Sequence, residues 1–320
     1  GPSKAVFLAG FLLGIPHYLS TLVFYGWDEL RPYYQERWIA FGIGPVAIVL
    51  VFFTLLWLQW TDVLAATLYV WNVLHVARQS CGLVSLYRHR AGLADARHKV
   101  VTNTAIMATN SCCALWNLQR DPAIQRLLVL LSPDLAYWLW LSAATVALYA
   151  LGRLAIGLWQ RWQLGQGPGL PEAGCLLTSL LLFHPYLWIE DVNRATFGML
   201  IGHFVQYLGL VWLVNRRKAR VPGGSRLQRW LAYVSTSLPR LLLTLFLAAS
   251  AFLCLQKLAG LIVLSEYASW GVVIAFVHFY LDGLFWAFKD PTIRRALGPY
   301  LRPVQATLRP ISSDDSAAMS

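Results

Sequence analysis

Nine stretches of mostly apolar residues dominate the chain: 4–26, 39–60, 62–87, 100–118, 135–158, 172–189, 195–215, 231–255 and 259–288. A helix needs about 20 such residues to cross the hydrocarbon of a bilayer. Backbone polar groups in lipid must be satisfied within the segment, so each stretch is expected to be helical. The fourth is the most polar, carrying Asn103, Thr104, Thr109 and Asn110. Between the stretches little charge remains. Charged residues make up 13% of the 320 residues, against roughly 25% in soluble domains. That is too little polar surface to cover a soluble protein of this size. The expected fold is all-α, a polytopic integral membrane bundle of nine transmembrane helices. A soluble enzyme, a nucleic-acid-binding protein and a disordered chain are excluded.

The net charge of +11 tests that segmentation, because Lys and Arg collect in cytoplasmic loops. With the amino terminus outside, nineteen of the 26 basic residues fall on the cytoplasmic side, in 27–38, 88–99, 159–171 (with Arg153), 216–230 and the tail. Only Lys4, Arg120, Arg126, Arg194 and Lys257 fall outside, and Arg78 and Arg240 lie within spans. The carboxyl terminus is therefore expected in the cytoplasm. The charge needs no nucleic-acid partner.

Residues 1–311 read as one transmembrane domain and 312–320, opening Ser-Ser-Asp-Asp-Ser, as a disordered tail. Gly1-Pro2-Ser3 reads as a processing scar. The apolar run after it is longer than the ~7–15 residues of a signal peptide and reads as a retained span. Asp121-Pro122 opens an expected interfacial helix to residue 132, and 165–174 is an expected loop. The five cysteines form no CxxC and give neither a disulfide framework nor a zinc ribbon. Gly10-x3-Gly14 and Gly198-x3-Gly202 are close-packing pairs, and they offer faces for a homo-oligomer.

Function is expected where titratable groups remain inside the bilayer. His89 and His98 sit in a basic loop and are set aside. His17, His75, His184, His203 and His278 fall in five different spans. At ~1.5 Å rise per residue, each lies within roughly 6 Å of its span's midpoint. A single intramembrane imidazole is more often an interhelical hydrogen-bonding group. Five at one depth point instead to a shared metal or haem site, since neutral imidazole binds iron, zinc and copper. Polar groups at helical spacing surround them: Asp282 four residues after His278, Gln79 four after and Asn72 three before His75, and Gln206 three after His203. Glu190 and Asp191 flank the outer end of the sixth span as acid–base candidates. Asp282 is expected to orient His278 or to ligate the metal itself.

The tandem histidine boxes of membrane desaturases are missing, as are HExxH, GxSxG and a P-loop. One histidine per span fits bis-histidine haem less well than a single non-haem metal. Gly14-Ile15-Pro16-His17 resembles the Gly-Ile-Pro-His segment of the bacterial membrane-bound β-carotene 15,15′-dioxygenases. His278-Phe279-Tyr280-Leu281-Asp282 is similar to that family's His-Phe-Gly-x-x-Asp element, and the two segments together span about a dozen residues. The resemblance implies a polytopic, iron-dependent oxygenase of the bacterial cytoplasmic membrane. Its partners would be O₂, membrane lipids and a lipophilic substrate: a carotenoid, an isoprenoid or another lipid. Zinc and haem stay open as cofactors. Two other classes also stay open: a proton- or ion-coupled transporter using the His/Asp groups as a relay, and a haem-b electron carrier.

Overall fold

The computed structural model describes residues 10–90, 96–129, 134–221, 223–258 and 267–301. The expected disordered tail and the start of the chain lie outside these residues, as does the opening of the ninth stretch. Among the described residues every regular element is a helix. In chain order these are α1 (Ile15–Ser20), α2 (Arg31–Glu36), α3 (Gly44–Trp57), α4 (Thr61–Arg90), α5 (Ala96–Leu118), α6 (Pro122–Val129) and α7 (Leu135–Gln163). They continue as α8 (Leu170–Leu181), α9 (Pro185–Trp188), α10 (Val192–Lys218), α11 (Arg226–Ser235), α12 (Leu238–Leu258), α13 (Tyr267–Phe285) and α14 (Pro291–Leu301). Wider helical turns lead into α1 and α3, and a tight turn, Thr21–Gly26, follows α1.

Among the described residues, three helices are long and apolar enough to cross a membrane: Ile39–Trp57, Leu135–Gln163 and Val192–Lys218. Their outward faces are as apolar as their inward ones. Leu50 is 64% exposed on α3 and Leu148 is 73% exposed on α7. Continuous apolar surface of that kind is unfavourable in water and ordinary in lipid.

Two expected single spans are broken. The 231–255 stretch divides into α11 and α12, bent by 120° between them. Pro239, in the first turn of α12, cannot prolong a helix from the α11 side. The Tyr233 carbonyl at the end of α11 accepts from Arg240 at 3.2 Å, and the same guanidinium donates to the Thr236 hydroxyl at 2.8 Å. The 172–189 stretch divides into α8 and α9 at Leu182–His184, with Pro185 opening α9. The expected loop at 165–174 is shorter, because Leu170 already begins α8. The helix expected from 121 to 132 is present as α6, and residues 130–132 lie outside the described residues.

The packing that sets the functional region is aromatic. Phe24, Trp27, Tyr33, Tyr34, Phe41 and Phe285 belong to a buried cluster that ties the turn after α1 to α2, α10, α13 and α14. Its polar atoms are satisfied: Trp27 Nε1 donates to Asn215 Oδ1 at 3.0 Å, and Tyr34 donates to the Phe24 carbonyl at 2.8 Å. A second cluster, with Val76, Cys113, Phe183, Tyr186 and Met199, locks α4 to α5 and α10.

Candidate metal centre

Four of the five singled-out histidines meet. His17 comes from α1, His75 from the middle of α4, His203 from α10 and His278 from α13. His17, His203 and His278 are 0%, 1% and 2% exposed. The His17 ring centroid lies 4.4 Å from His278 and 4.8 Å from His203. His75 is 5.3 Å from both His203 and His278, and it stacks on Phe279 at 4.5 Å. Local sequence explains the meeting. Pro16 fixes the first turn of α1, and the three long helices carry their histidines on inward-facing turns.

The ring nitrogens are the informative atoms. Both nitrogens of His17 and the Nε2 atoms of His75, His203 and His278 are buried without a hydrogen-bond partner. A buried polar atom left unpaired costs about 1–3 kcal/mol, and five such lone-pair or N–H positions lie within this cluster. A cation accepts several of these lone pairs together. Ligand atoms of His17, His203 and His278 lie within 4.8 Å of one another, as do those of His75, His278 and Asp282. Either set could hold a metal ion, and they share His278. The donor chemistry, neutral imidazole with one carboxylate, suits iron, zinc or copper. The His17–His203, His17–His278, His75–His203 and His75–His278 ring pairs touch edge to face, so no gap of porphyrin width lies between them for a haem held by both rings of such a pair.

One helical turn beyond the histidines lies a second polar layer. Thr21 follows His17 by four, Tyr207 follows His203 by four and Asp282 follows His278 by four. These residues bond to one another. Thr21 Oγ1 lies 2.7 Å from His278 Nδ1 and 2.9 Å from the Tyr207 hydroxyl. Tyr207 donates to Asp282 Oδ1, and Trp286 Nε1 donates to the same oxygen at 2.8 Å. His278 is thus oriented by Thr21, while Asp282 turns its other oxygen toward His75 Nε2 at 3.8 Å. Thr21, Tyr207 and Trp286 are absent from the expected site. The signal for the first two was the i+4 spacing that singled out Asp282 and Gln79.

The remaining expected residues divide. Asn72 is 3% exposed beside His75 with its Oδ1 unpartnered, and Gln79 Oε1 is likewise buried and unpartnered. Gln206 is half-buried on α10. His184 is not brought to the cluster. Its ring is exposed at the α8–α9 break, and Nδ1 lies 2.7 Å from the Leu181 carbonyl. Pro185 ends the helix there and leaves the imidazole capping a carbonyl. Glu190 and Asp191 are also exposed; Asp191 caps α10 by accepting from the Arg194 backbone N–H at 2.8 Å.

No protein family, no curated protein and no solved structure matches this chain.

Proposed function

We propose that this protein is a membrane-embedded, iron-dependent oxygenase acting on a lipophilic substrate. The carrying observation is the convergence of unpartnered, buried imidazole nitrogens from four helices beside a carboxylate. The His75, His278 and Asp282 set has the two-histidine, one-carboxylate composition used by non-haem iron oxygenases. His17 and His203 complete the surround. Iron(II) held there would offer open coordination positions to O₂, whose two atoms would both enter the substrate, so that no external reductant is needed. The chain's own residues then have definite tasks. Thr21 fixes the orientation of His278. Tyr207 and Trp286 hold one oxygen of Asp282, leaving the other to face the metal side. Phe204, against His17 at 4.7 Å, and Phe279 keep water from the reacting carbons.

The reading includes nine spans, an outer amino terminus and a cytoplasmic carboxyl terminus in a bacterial cytoplasmic membrane. The continuous chain of hydrogen bonds from Thr21 to Trp286 favours a second reading, a proton or ion relay, which needs no metal.

The test is isotopic. Purified, iron-loaded protein is incubated under ¹⁸O₂ with a lipid extract of its host membrane. The oxygenase reading predicts products labelled with ¹⁸O that disappear in His278→Ala. Stoichiometric iron with no labelled product would sink the oxygenase assignment.

A further inference from the structure

Several buried tyrosines here end on groups that cannot take a proton. Tyr25, Tyr34 and Tyr280 donate to the backbone carbonyls of Phe41, Phe24 and Ala40. Such a partner is all that packing a buried phenol requires. Tyr207 is placed differently. It is fully buried, with its ring 4.6 Å from that of His17 and 5.5 Å from that of His278. Its hydroxyl donates to a carboxylate, Asp282 Oδ1.

The hydrogen bonds around Tyr207 have one consistent direction. A His278 that binds metal through Nε2 keeps its proton on Nδ1 and donates it to Thr21 Oγ1 at 2.7 Å. Thr21 then gives its single hydrogen to the Tyr207 oxygen at 2.9 Å, and Tyr207 gives its own to Asp282. A second oxidisable ring closes the group. Trp286 Nε1 donates to Asp282 Oδ1 at 2.8 Å and reaches the Tyr207 oxygen at 3.3 Å. The two rings are 6.1 Å apart, and Trp286 is partly exposed. A phenol that loses an electron becomes a very strong acid, so it oxidises readily only where its proton already has an acceptor. One carboxylate oxygen serves both Tyr207 and Trp286 in that way.

We propose that Tyr207 and Trp286 form a redox pair that quenches peroxide at the candidate metal centre before it damages the surrounding imidazoles. This rests on the oxygenase reading, which supplies the iron. One hydrogen peroxide takes two electrons and two solvent protons and leaves as two waters. One electron comes from iron(II), which becomes iron(III), and the other from Tyr207. The phenolic proton of Tyr207 passes to Asp282 Oδ1, leaving a neutral phenoxyl radical. Trp286 returns an electron to Tyr207 while Asp282 returns the proton, and the oxidised indole then passes its Nε1 proton to Asp282. A one-electron reductant such as ascorbate meets the exposed edge of Trp286, releasing its own proton to solvent. Its electron and the proton held on Asp282 restore the indole.

The test is electron paramagnetic resonance on frozen samples. Protein in excess of iron(II) is mixed without O₂ with one equivalent of hydrogen peroxide, and variants are compared at equal bound iron and equal helical signal. A tyrosyl signal is expected that narrows when ring-deuterated tyrosine is incorporated. It should resist microwave saturation, because iron(III) lies close to it. Tyr207→Phe should lose the signal, and peptide mass analysis should then find more oxidised His17 and His278 than in the wild type. Trp286→Phe should keep the signal but let it decay several-fold more slowly with ascorbate. An iron-loaded wild type without a tyrosyl signal, the same signal in Tyr207→Phe, or unchanged decay in Trp286→Phe overturns the proposal. Iron without the radical would sink this inference alone. The radical in a protein that forms no ¹⁸O-labelled product would sink the oxygenase reading alone, and a wild type that binds no iron removes both.

Discussion

At the scale of single residues, spacing carried more than motif. His17, His75, His203 and His278 were legible because each is alone in its span and near its middle, and hydrocarbon leaves few reasons for such placement. His184 had the same credentials and is excluded by one residue, Pro185, which breaks the helix and turns the ring outward. Asp282 was legible one turn from His278, but its partners were not. The contact of Tyr207 with Asp282 joins α10 to α13, and no local pattern announces a pairing between distant segments. Tyr207→Phe removes one of the donors that fix Asp282, and supporting groups of this kind are typically worth 10–100-fold in metal affinity or activity. Titrating iron into the variant should therefore show binding weakened by about that factor with the fold kept. Unchanged affinity would mean that the hydroxyl positions nothing.

At the scale of elements, hydropathy located the helices and missed where they break. Apolar content runs through Leu181–Phe183, so Pro185 was the signal that 172–189 is two pieces, whereas in 231–255 the polar run Ser235-Thr236-Ser237 ahead of Pro239 marked the break. Polar contacts at helix ends then hold those pieces. Arg161, near the end of α7, grips Glu172 in the first turn of α8 through two hydrogen bonds of 2.9 and 3.3 Å, with both side chains over 90% buried. Removing one member of a buried pair costs about 3–5 kcal/mol. Glu172→Gln should consequently lower the thermal midpoint in detergent clearly, while Arg153→Gln on the exposed face of α7 should not. Ahead of α11, Asp28 accepts the Ser225 backbone N–H at 2.6 Å, and this bond holds its carboxyl below the usual carboxylate range. The stability it contributes is present above the unfolded value of about 4 and is lost as pH falls through the lower folded value. Asp28→Asn should flatten that acid-side loss; an identical profile between pH 5 and 2.5 would show that the bond is not formed. Gly224 suits this approach: its φ of +93° disfavours any other residue, and a Cβ there would lie 2.7 Å from the Gln228 side-chain amide and 3.1 Å from the Asp28 oxygen.

At the scale of the whole molecule, scarcity of charge points to lipid as the solvent, and the charge asymmetry is the ground on which the orientation is proposed. Both are bulk properties, readable without knowing any contact. What composition could not supply is which faces pack together, because lipid-facing and protein-facing residues are equally apolar in α3 and α7. Reporter fusions test the orientation. Green fluorescent protein fused after Ser320 should fluoresce, and alkaline phosphatase inserted at Arg120 should be active in the periplasm; the opposite pattern would invert the topology. The central claim is that four helices of this bundle are gathered around a metal ion, and it meets its most direct test in elemental analysis of the detergent-purified protein. About one iron per chain is predicted for the wild type, with loss in His203→Ala and in His278→Ala and retention in His184→Ala. A wild-type protein free of metal, or a His203→Ala/His278→Ala double variant with full metal content, would contradict it.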